Sequence, residues 1–455
     1  MKVVRSWRVQ NTTIFTCGLL AVVAGIGFAK LGWSMSVWAV IVSALFVIGG
    51  LKQRRLGAVL SVLLLGFSLG GWRGSQMQQR LEPYRQVYDH KVILRVTALT
   101  DAVYSAHSQL AFDAGSVHIY SPVNQSVPGS LSIKGLGENS VYRGDRLQIE
   151  GKLQPTLGGK QGRMNFAKIT LLGHQDTWIN NIRRRFTAGL VSAVPEPQAS
   201  FGIGLLIGQR NTLPDTITKQ LSAVGLSHVV AVSGYNLTII VDSVRRLLNK
   251  GSKYQSTILS LLLIGGFLLV TGLSASMVRA AMVSTLGLLA WYYGRKFQPL
   301  LLWSLVAAGT AAWNPLYMWG DIGWYLSFGA FFGVLILCPL VLKRLYGPER
   351  QPTTLVLLLV ECFCAQIVTA PIILFVFQQA SLVALPANAL VVPLIPLAML
   401  LTFVAGLGGM LAVSVSGWFA WPARILLTAQ LDAVGLFARI PHAQVSRSQI
   451  GRAHV

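Results

Sequence analysis

Long uninterrupted apolar runs constrain this chain more than any other feature, because a run of about 18 residues or more can cross a hydrocarbon core roughly 30 Å thick. Three such runs come early, at residues 13–29, 33–50 and 56–72. Only 12% of the residues are charged, whereas soluble domains carry about a quarter. The sequence therefore excludes a soluble enzyme and predicts a polytopic α-helical membrane protein. Later runs lie at residues 224–244, 256–273, 278–294, 300–313, 322–342 and 353–377.

The last apolar stretch, residues 382–436, is long enough for two or three further spans. It contains Pro386, Pro393 and Pro396, which predict broken or re-entrant segments. A membrane tolerates such segments only where protein or a water-filled cavity covers the freed backbone groups. Counted together, the runs predict about ten or eleven spans.

The positions of Lys and Arg predict the orientation, since cytoplasmic loops carry an excess of both. Basic residues precede the first run and separate the second from the third, so the N-terminus is predicted to be cytoplasmic. Three crossings then place residues 76–181 outside. The formal charge of +23 is therefore interpreted mainly as a signal of topology. Later basic residues that agree with this orientation are Arg245, Arg246, Lys250, Lys253, Arg295, Lys296, Lys343, Arg344 and Arg350.

The predicted outer segment, residues 76–181, reads as a domain of its own. Residues 92–98, 116–120, 130–134 and 146–153 alternate apolar with polar side chains between Gly and Pro turns, which predicts about five short strands. A small β-barrel fits this pattern, and the oligonucleotide-binding type is one candidate. The domain's net charge is mild. Its aromatic residues either stack on bases or simply fill a solvated domain's core; they include Tyr120, Tyr142 and Phe166.

A basic amphipathic segment, residues 182–194, follows the outer domain. Such a segment beside a membrane usually lies in the interface and binds anionic headgroups. The alternative is that its arginines line the approach of a polyanion. Both interpretations stay open.

Ionisable residues inside apolar runs are costly in lipid, and they usually face a cavity or a partner. Glu361 and Gln366 lie in the middle of a run, whereas Arg279 and Asp321 stand near run ends. His228 and Asp242 fall in the first of the later runs. None of these residues forms a catalytic constellation, a phosphate-binding loop or a metal-ligand spacing. We therefore expect no catalytic residue, no metal and no cofactor.

Several segments, in matching order, resemble the ComEC-type competence family, whose members are membrane channels that carry single-stranded DNA inward during natural transformation. The outer domain is similar to that family's oligonucleotide-binding-type domain through residues 142–146 and 162–166. The membrane segments that carry the resemblance are residues 202–210, 221–234, 271–276 with Arg279, 314–315 with 321–328, and 386–388 with 392–394.

The resemblance implies a multi-pass protein of the bacterial cytoplasmic membrane that passes single-stranded DNA. Its implied partners are single-stranded DNA, membrane lipid, a second copy of the chain in a homodimer, a DNA receptor and a cytoplasmic helicase of the competence machinery. The candidates for lining the DNA path are His228, Ser233, Asn236, Arg279 and Gln366. Candidate DNA-binding residues of the outer domain are Lys134, Tyr142, Arg143 and Arg146, and those for ion pairing or proton coupling are Asp242 and Glu361.

The chain departs from the family pattern in two places. Ser233-Gly234 is usually followed by a hydrophobic residue and His, but here Tyr235 and Asn236 follow, and Asn does not titrate near neutral pH. Many members also end in a metallo-β-lactamase-type nuclease domain, whose His/Asp cluster is lacking here. Residues 449–455 match a read-through sequencing adapter, so we expect an artefact there and a truncated C-terminus.

The expected domains are three transmembrane helices (1–75), an outer oligonucleotide-binding-type β-barrel (76–181), an interfacial region (182–223), a channel domain (224–440) and a truncated tail (441–455). Two other functions compete with the channel. One is a proton-coupled transporter of a small solute or lipid-linked polymer, which would use Glu361 or Asp242. The other is an intramembrane hydrolase built on His228 and Ser233, whose spacing of five does not put both on one helical face.

Overall fold

The structure of the chain is a computed structural model. Its helices form a membrane-type bundle, and six strands that follow the third helix form one small barrel. The described residues are 11–50, 55–105, 109–122, 124–137, 141–156, 158–174, 178–208, 213–230, 237, 241, 252–272, 275–295, 298–347, 352–411, 416–441 and 443–446.

Three helices come first, α1 (Asn11–Ala29), α2 (Val37–Gly50) and α3 (Arg55–Arg85). Small residues let α1 and α3 pack backbone to backbone: a side chain at Gly70 would collide with the carbonyl oxygen of Val22, and one at Gly25 with that of Phe67. Membrane helices associate through such small-residue faces, because lipid gives them no hydrophobic reason to pair.

Six strands follow: β1 (Lys91–Ala98), β2 (Val103–Ser105), β3 (Gln109–Ser121), β4 (Gln125–Gly137), β5 (Arg146–Gln154) and β6 (Gly162–Gly173). The sheet order is β1-β5-β6-β4-β3-β2, and β1 also pairs with β3, so five strands close into a barrel with β2 as an appendage. The pairs β1–β5 and β1–β3 are antiparallel, while β4 and β6 run parallel. The predicted small β-barrel is therefore confirmed.

The barrel core follows from the alternation seen in the sequence. In β1, Val92, Leu94 and Val96 are buried, whereas the intervening Arg95 points outward. The end of α3 enters the same core, since Tyr84 is fully buried among the barrel residues and its hydroxyl donates to the carbonyl of Pro128 at 3.3 Å. The third helix therefore joins the bundle to the barrel as one continuous rod.

The rest of the described chain is mainly helical. Four helices precede residue 231: α4 (Trp178–Ala193), α5 (Gln198–Ile207), α6 (Asp215–Ala223) and α7 (Ser227–Val230). Then come α8 (Lys253–Thr271), α9 (Ala275–Tyr292), α10 (Pro299–Trp313), α11 (Pro315–Gly320), α12 (Ile322–Phe332), α13 (Cys338–Tyr346) and α14 (Thr354–Phe377). The last are α15 (Ala384–Val391), α16 (Ile395–Leu411) and α17 (Ser416–Ala438), and a short sheet pairs β7 (Gln379–Ser381) with β8 (Gln444–Ser446).

Two long apolar segments are interrupted. A π-helical turn, Gly333–Leu337, joins α12 to α13. A 3-10 turn, Val392–Leu394, separates α15 from α16, and it contains one of the prolines from which a broken segment was predicted. The amphipathic α4 packs along α16, where Gly189 meets the backbone of Gly409. Part of the predicted interfacial region is thus built into the bundle.

Six helical segments of the described residues are long and apolar enough to cross a membrane. The predicted span at residues 224–244 lies mostly outside the described part of the chain, so the larger span count stays a prediction. The six are Thr12–Ala29, Gly57–Arg85, Lys253–Thr271, Ile322–Tyr346, Val356–Phe377 and Ala384–Leu411, and Val37–Val47, Gln198–Ile207 and Pro299–Trp313 are shorter apolar helices.

Candidate functional site

A groove of about 310 Å³ lies where the barrel meets the first turn of α4. One wall is the end of β1 and the loop that precedes β5, and the other is the start of α4. Trp178 is the largest exposed side chain there, with 68% of its surface accessible. The lining residues are Ala98, Leu99, Arg143, Gly144, Trp178, Ile179 and Asn180.

The barrel wall of the groove is a tight turn held by its own hydrogen bonds. The Tyr142 N–H donates to Asp145 Oδ2 at 2.8 Å, and the Gly144 N–H donates to the carbonyl of Ala98 at 2.8 Å. Gly144 has φ of +96°, a conformation that favours glycine. The turn therefore presents Arg143 at a fixed position above the helices.

Arg143 links the barrel to the membrane bundle. Its backbone N–H donates to Asp101 Oδ1 at 2.9 Å, and its Nη1 donates to the carbonyl of Leu269, near the end of α8, at 3.4 Å. A side chain at Gly272 would come within 2.9 Å of that Nη1, so the glycine leaves room for the guanidinium. Burial lowers the pKa of Arg143. The residue is both a groove wall and a structural tie.

The start of α4 supplies the other wall and a buried ion pair. Arg183 pairs with Asp101, and both side chains are almost buried. Asn180 donates from Nδ2 to the carbonyl of Arg143 at 3.0 Å. The guanidinium of Arg184 stacks over the ring of Tyr142 at 5.1 Å. Three successive contacts thus hold α4 against the turn, while Trp178 stays exposed.

The candidates Lys134 and Arg146 are not among the residues that line this groove. Lys134 on β4 and Arg146 at the start of β5 are exposed. On the barrel's outer face, Arg95 lies over the ring of Tyr120 at 4.8 Å, and His118 meets the same ring at 4.7 Å. Of the four predicted DNA-binding residues, Arg143 is the one that lines the groove, and its chain neighbour Tyr142 contacts Arg184.

The membrane candidates are dispersed over the described residues. His228 is exposed on α7, and its Nδ1 lies 3.1 Å from the carbonyl oxygen of Gly225. Glu361 and Gln366 lie on α14 and are half-buried. Ser233, Asn236 and Asp242 lie outside the described residues. The described candidates therefore lie on separate helices, α7 and α14.

Arg279, on the second turn of α9, is 3% exposed. Its Nη2 donates to the carbonyl of Gly323 at 3.1 Å, and the N–H of that glycine donates to Asp321 Oδ1 at 2.9 Å. Its Nε and Nη1 are buried without a hydrogen-bond partner among the described residues. Buried polar groups are nearly always paired, and Arg279 is one of several described residues, Arg73 among them, with a buried polar atom that lacks a partner there.

The sequence pointed to Arg143 but missed Trp178, Leu99 and Asn180. A signal existed, since a tryptophan at the start of a basic amphipathic helix is an exposed aromatic beside cations. The turn at Arg143, which forms the other wall of the groove, lies about 35 residues earlier in the sequence. Over the described residues, no three His, Cys, Asp or Glu side chains are grouped so that they could hold a metal ion.

The fold and its groove define a helical membrane protein with a small β-barrel docked on one end of its bundle. The chain belongs to the Competence protein family, because that family's model matches residues 205–455, which is more than half of its length. This confirms the resemblance drawn from the motifs.

Two curated relatives agree. ComE operon protein 3 of Bacillus subtilis (strain 168) is 26% identical over 244 residues, which cover 52% of this chain and 30% of that protein. Competence protein ComA of Neisseria gonorrhoeae is 24% identical over 293 residues, covering 60% of this chain and 39% of that protein. The chain thus matches less than half the length of these relatives. No solved structure matches it.

Proposed function

We propose that this protein takes part in DNA uptake during competence, by passing a single strand of DNA across the cytoplasmic membrane. Family membership supports the competence role. The observation that carries the single-strand route is the groove, which places an exposed indole next to an arginine where the barrel meets the bundle. Single strands are bound by this combination of an aromatic platform for bases and cations for the backbone.

The proposal includes an oligonucleotide-binding-type identity for the barrel. With the β2 appendage set aside, the strands run first-second-third-fifth-fourth around the barrel and close on the first, and the third and fifth are parallel. That Greek-key arrangement of five strands is the one expected of the oligonucleotide-binding barrel, which binds through one sheet face and adjoining loops. Lys134 lies on β4, the third of these strands, whereas the turn at Arg143 joins the third strand to the fourth.

The proposal also places the barrel outside. Arg143 reaches the end of α8 at Leu269, and Asn314, just after α10, donates from Nδ2 to the carbonyl of Gly159 at 2.9 Å. The opposite helix ends carry the cations, with Lys253 at the start of α8 and Arg295 just before α10. Because cytoplasmic ends are rich in Lys and Arg, the barrel end faces away from the cytoplasm.

The test is binding of a labelled single strand to the full chain in lipid nanodiscs. We expect binding whose affinity falls with salt, with a logarithmic slope of about −0.7 per phosphate contact. A duplex of the same sequence with blocked ends is expected to bind more weakly, because its paired bases cannot stack on Trp178. Absence of single-strand binding at low salt would contradict the proposal and favour a proton-coupled transporter centred on Glu361, which lies half-buried within α14.

A further inference from the structure

Phe166 lies on β6 with its backbone in the left-handed region, at φ of +54°. Large side chains rarely adopt this conformation, because the Cβ then crowds the backbone. Burial does not compensate for it, since 74% of the Phe166 surface is accessible. Among the described residues, the ring meets no other aromatic ring and no cation. A strained residue that adds little to the core indicates a role other than packing.

A β-bulge produces this conformation. The pairing of β4 with β6 shifts register beside Phe166, so Lys134 alone on β4 stands opposite two residues of β6, one of which is Phe166. Glycines on both neighbouring strands hold the bulge: an added Cβ would lie 2.1 Å from the carbonyl oxygen of Ala167 at Gly135, and 3.2 Å from the Cα of Ala167 at Gly151. Bulges re-aim a side chain, and this one turns the Phe166 ring to the outside of the barrel.

The outer face around this ring is basic. Arg163 and Lys168 precede and follow Phe166 on β6, Lys134 lies opposite on β4, and all three cations are exposed. None of the three has a carboxylate within 4 Å in the described part of the chain. Glu150 on β5 stands across from Lys168 and offsets one charge, so the face keeps an excess of positive charge. An exposed ring among such cations is the combination with which proteins bind single strands.

We propose that Phe166 stacks on a base of the single strand, and that Arg163 and Lys168 bind the strand's backbone on either side of that base. This inference rests on the proposed function and adds a contact on the barrel wall, separate from Trp178 in the groove. It also accounts for the strained backbone, because the bulge exposes a ring that regular alternation would place differently.

Strand β6 leads from this face to the groove. Its last residue, Gly173, lies about 23 Å along the strand from Phe166. Gly173 pairs with Arg146, just beyond the turn whose Arg143 and Gly144 line the groove. A single strand that follows β6 would therefore pass from Phe166 to the groove, where Trp178 is exposed.

The experiment measures the affinity of a labelled oligothymidine, and its salt dependence, for the full chain in phosphatidylcholine nanodiscs. Phe166→Ala should weaken binding about tenfold, within the range that one stacked base contributes, and should leave the salt slope unchanged. Arg163→Gln and Lys168→Gln should each reduce the logarithmic slope by about 0.7, the share of one phosphate contact. An abasic strand of the same charge should bind the wild type and Phe166→Ala equally, because it has no base to stack.

Two variants separate stacking from a folding defect. Phe166→Gly puts glycine at a φ that it adopts without a steric penalty, so the barrel's thermal unfolding midpoint should stay or rise while single-strand affinity falls as in Phe166→Ala. Phe166→Trp keeps an aromatic face and should retain the affinity. Tyr120→Ala is the matched control and should not change it, since the Tyr120 ring is exposed on the same barrel but already contacts Arg95 and His118.

The outcomes distinguish this face from the wider function. If the wild type binds single strands while Phe166→Ala and Phe166→Gly bind them equally well, the stacking site is wrong and the proposed function stands. If Phe166→Gly lowers the unfolding midpoint together with the affinity, the ring has a structural role and the inference is overturned. If the wild type binds no single strand at low salt, the proposed function itself fails.

Discussion

Two arginines stand where the barrel meets the membrane bundle, and the structure treats them in opposite ways. Arg143 has partners for its N–H, its carbonyl and its guanidinium, and it borders an open groove. Arg279 is almost completely buried, and among the described residues its Nη2 has a hydrogen-bond partner whereas its Nε and Nη1 have none. The first is held as part of a finished junction. The second keeps two buried donors that no described residue accepts.

The largest effect should come from breaking the junction that holds Arg143. Asp101→Asn removes the charge that faces Arg183, although an oxygen remains to accept the Arg143 N–H. Burial lowers the pKa of Arg183 to about 10, with Arg184 adding to the effect, so at neutral pH the guanidinium is still charged and loses its counter-ion. We expect the junction to be destabilised by about 3–5 kcal/mol, measured by hydrogen exchange across α4 and the turn.

The control for this prediction is an exposed ion pair. Glu82 pairs with Arg85 at 3.3 Å, and both side chains are at least half exposed. Glu82→Gln should cost less than about 1 kcal/mol, because surface pairs contribute little. Equal protection of the junction in Asp101→Asn and wild type would show that the Arg183 pair does not hold the barrel.

The fold was predictable where local patterns decide it. Alternation in residues 92–98 predicted β1, and the run at residues 300–313 predicted α10 almost to its ends. Barrel closure was not specified by any local pattern, because it depends on β1 pairing with β3 and on Tyr84 of a membrane helix entering the core. Such contacts join residues that are distant in the sequence, and neither hydrophobic periodicity nor turn residues indicate which of them pair.

The site was predictable in parts. Intramembrane polarity and the motif singled out Arg279, and basic character singled out Arg143. The hydrogen bonds around Arg279 could not be predicted from the sequence. The carbonyl of Gly323, 44 residues away, accepts from Arg279, and the N–H of the same glycine donates to Asp321. Trp178 was missed because the groove that it lines is completed by Arg143 and Gly144, which lie in a turn of the barrel. A sequence shows which groups are costly to bury, whereas their partners are set by the fold.

The next effect concerns the open groove. Trp178→Ala should weaken single-strand binding by about 1–3 kcal/mol, the usual contribution of one stacked base. Trp178→Phe keeps an aromatic face and should retain most of the affinity. Fluorescence anisotropy with the full chain in nanodiscs measures both. The salt slope should stay unchanged in both variants, because no phosphate contact is removed; a lowered slope, or an unchanged affinity in Trp178→Ala, would contradict the stacking role.

The smallest effect tests whether the barrel loop covers Arg279. Gly159→Ala places a Cβ 2.5 Å from the Tyr317 ring, so the loop must shift, at a cost of about 1 kcal/mol for mild overpacking. Gly173→Ala is the control on the same barrel, since an added Cβ there meets no atom within 4 Å. We expect faster hydrogen exchange at residues 158–161 and easier modification of Arg279 in the first variant only, with Trp178 binding unaffected. If the loop exchanges faster but Arg279 is modified at the wild-type rate, the loop does not control access to Arg279. The helices alone would then account for the burial of this arginine.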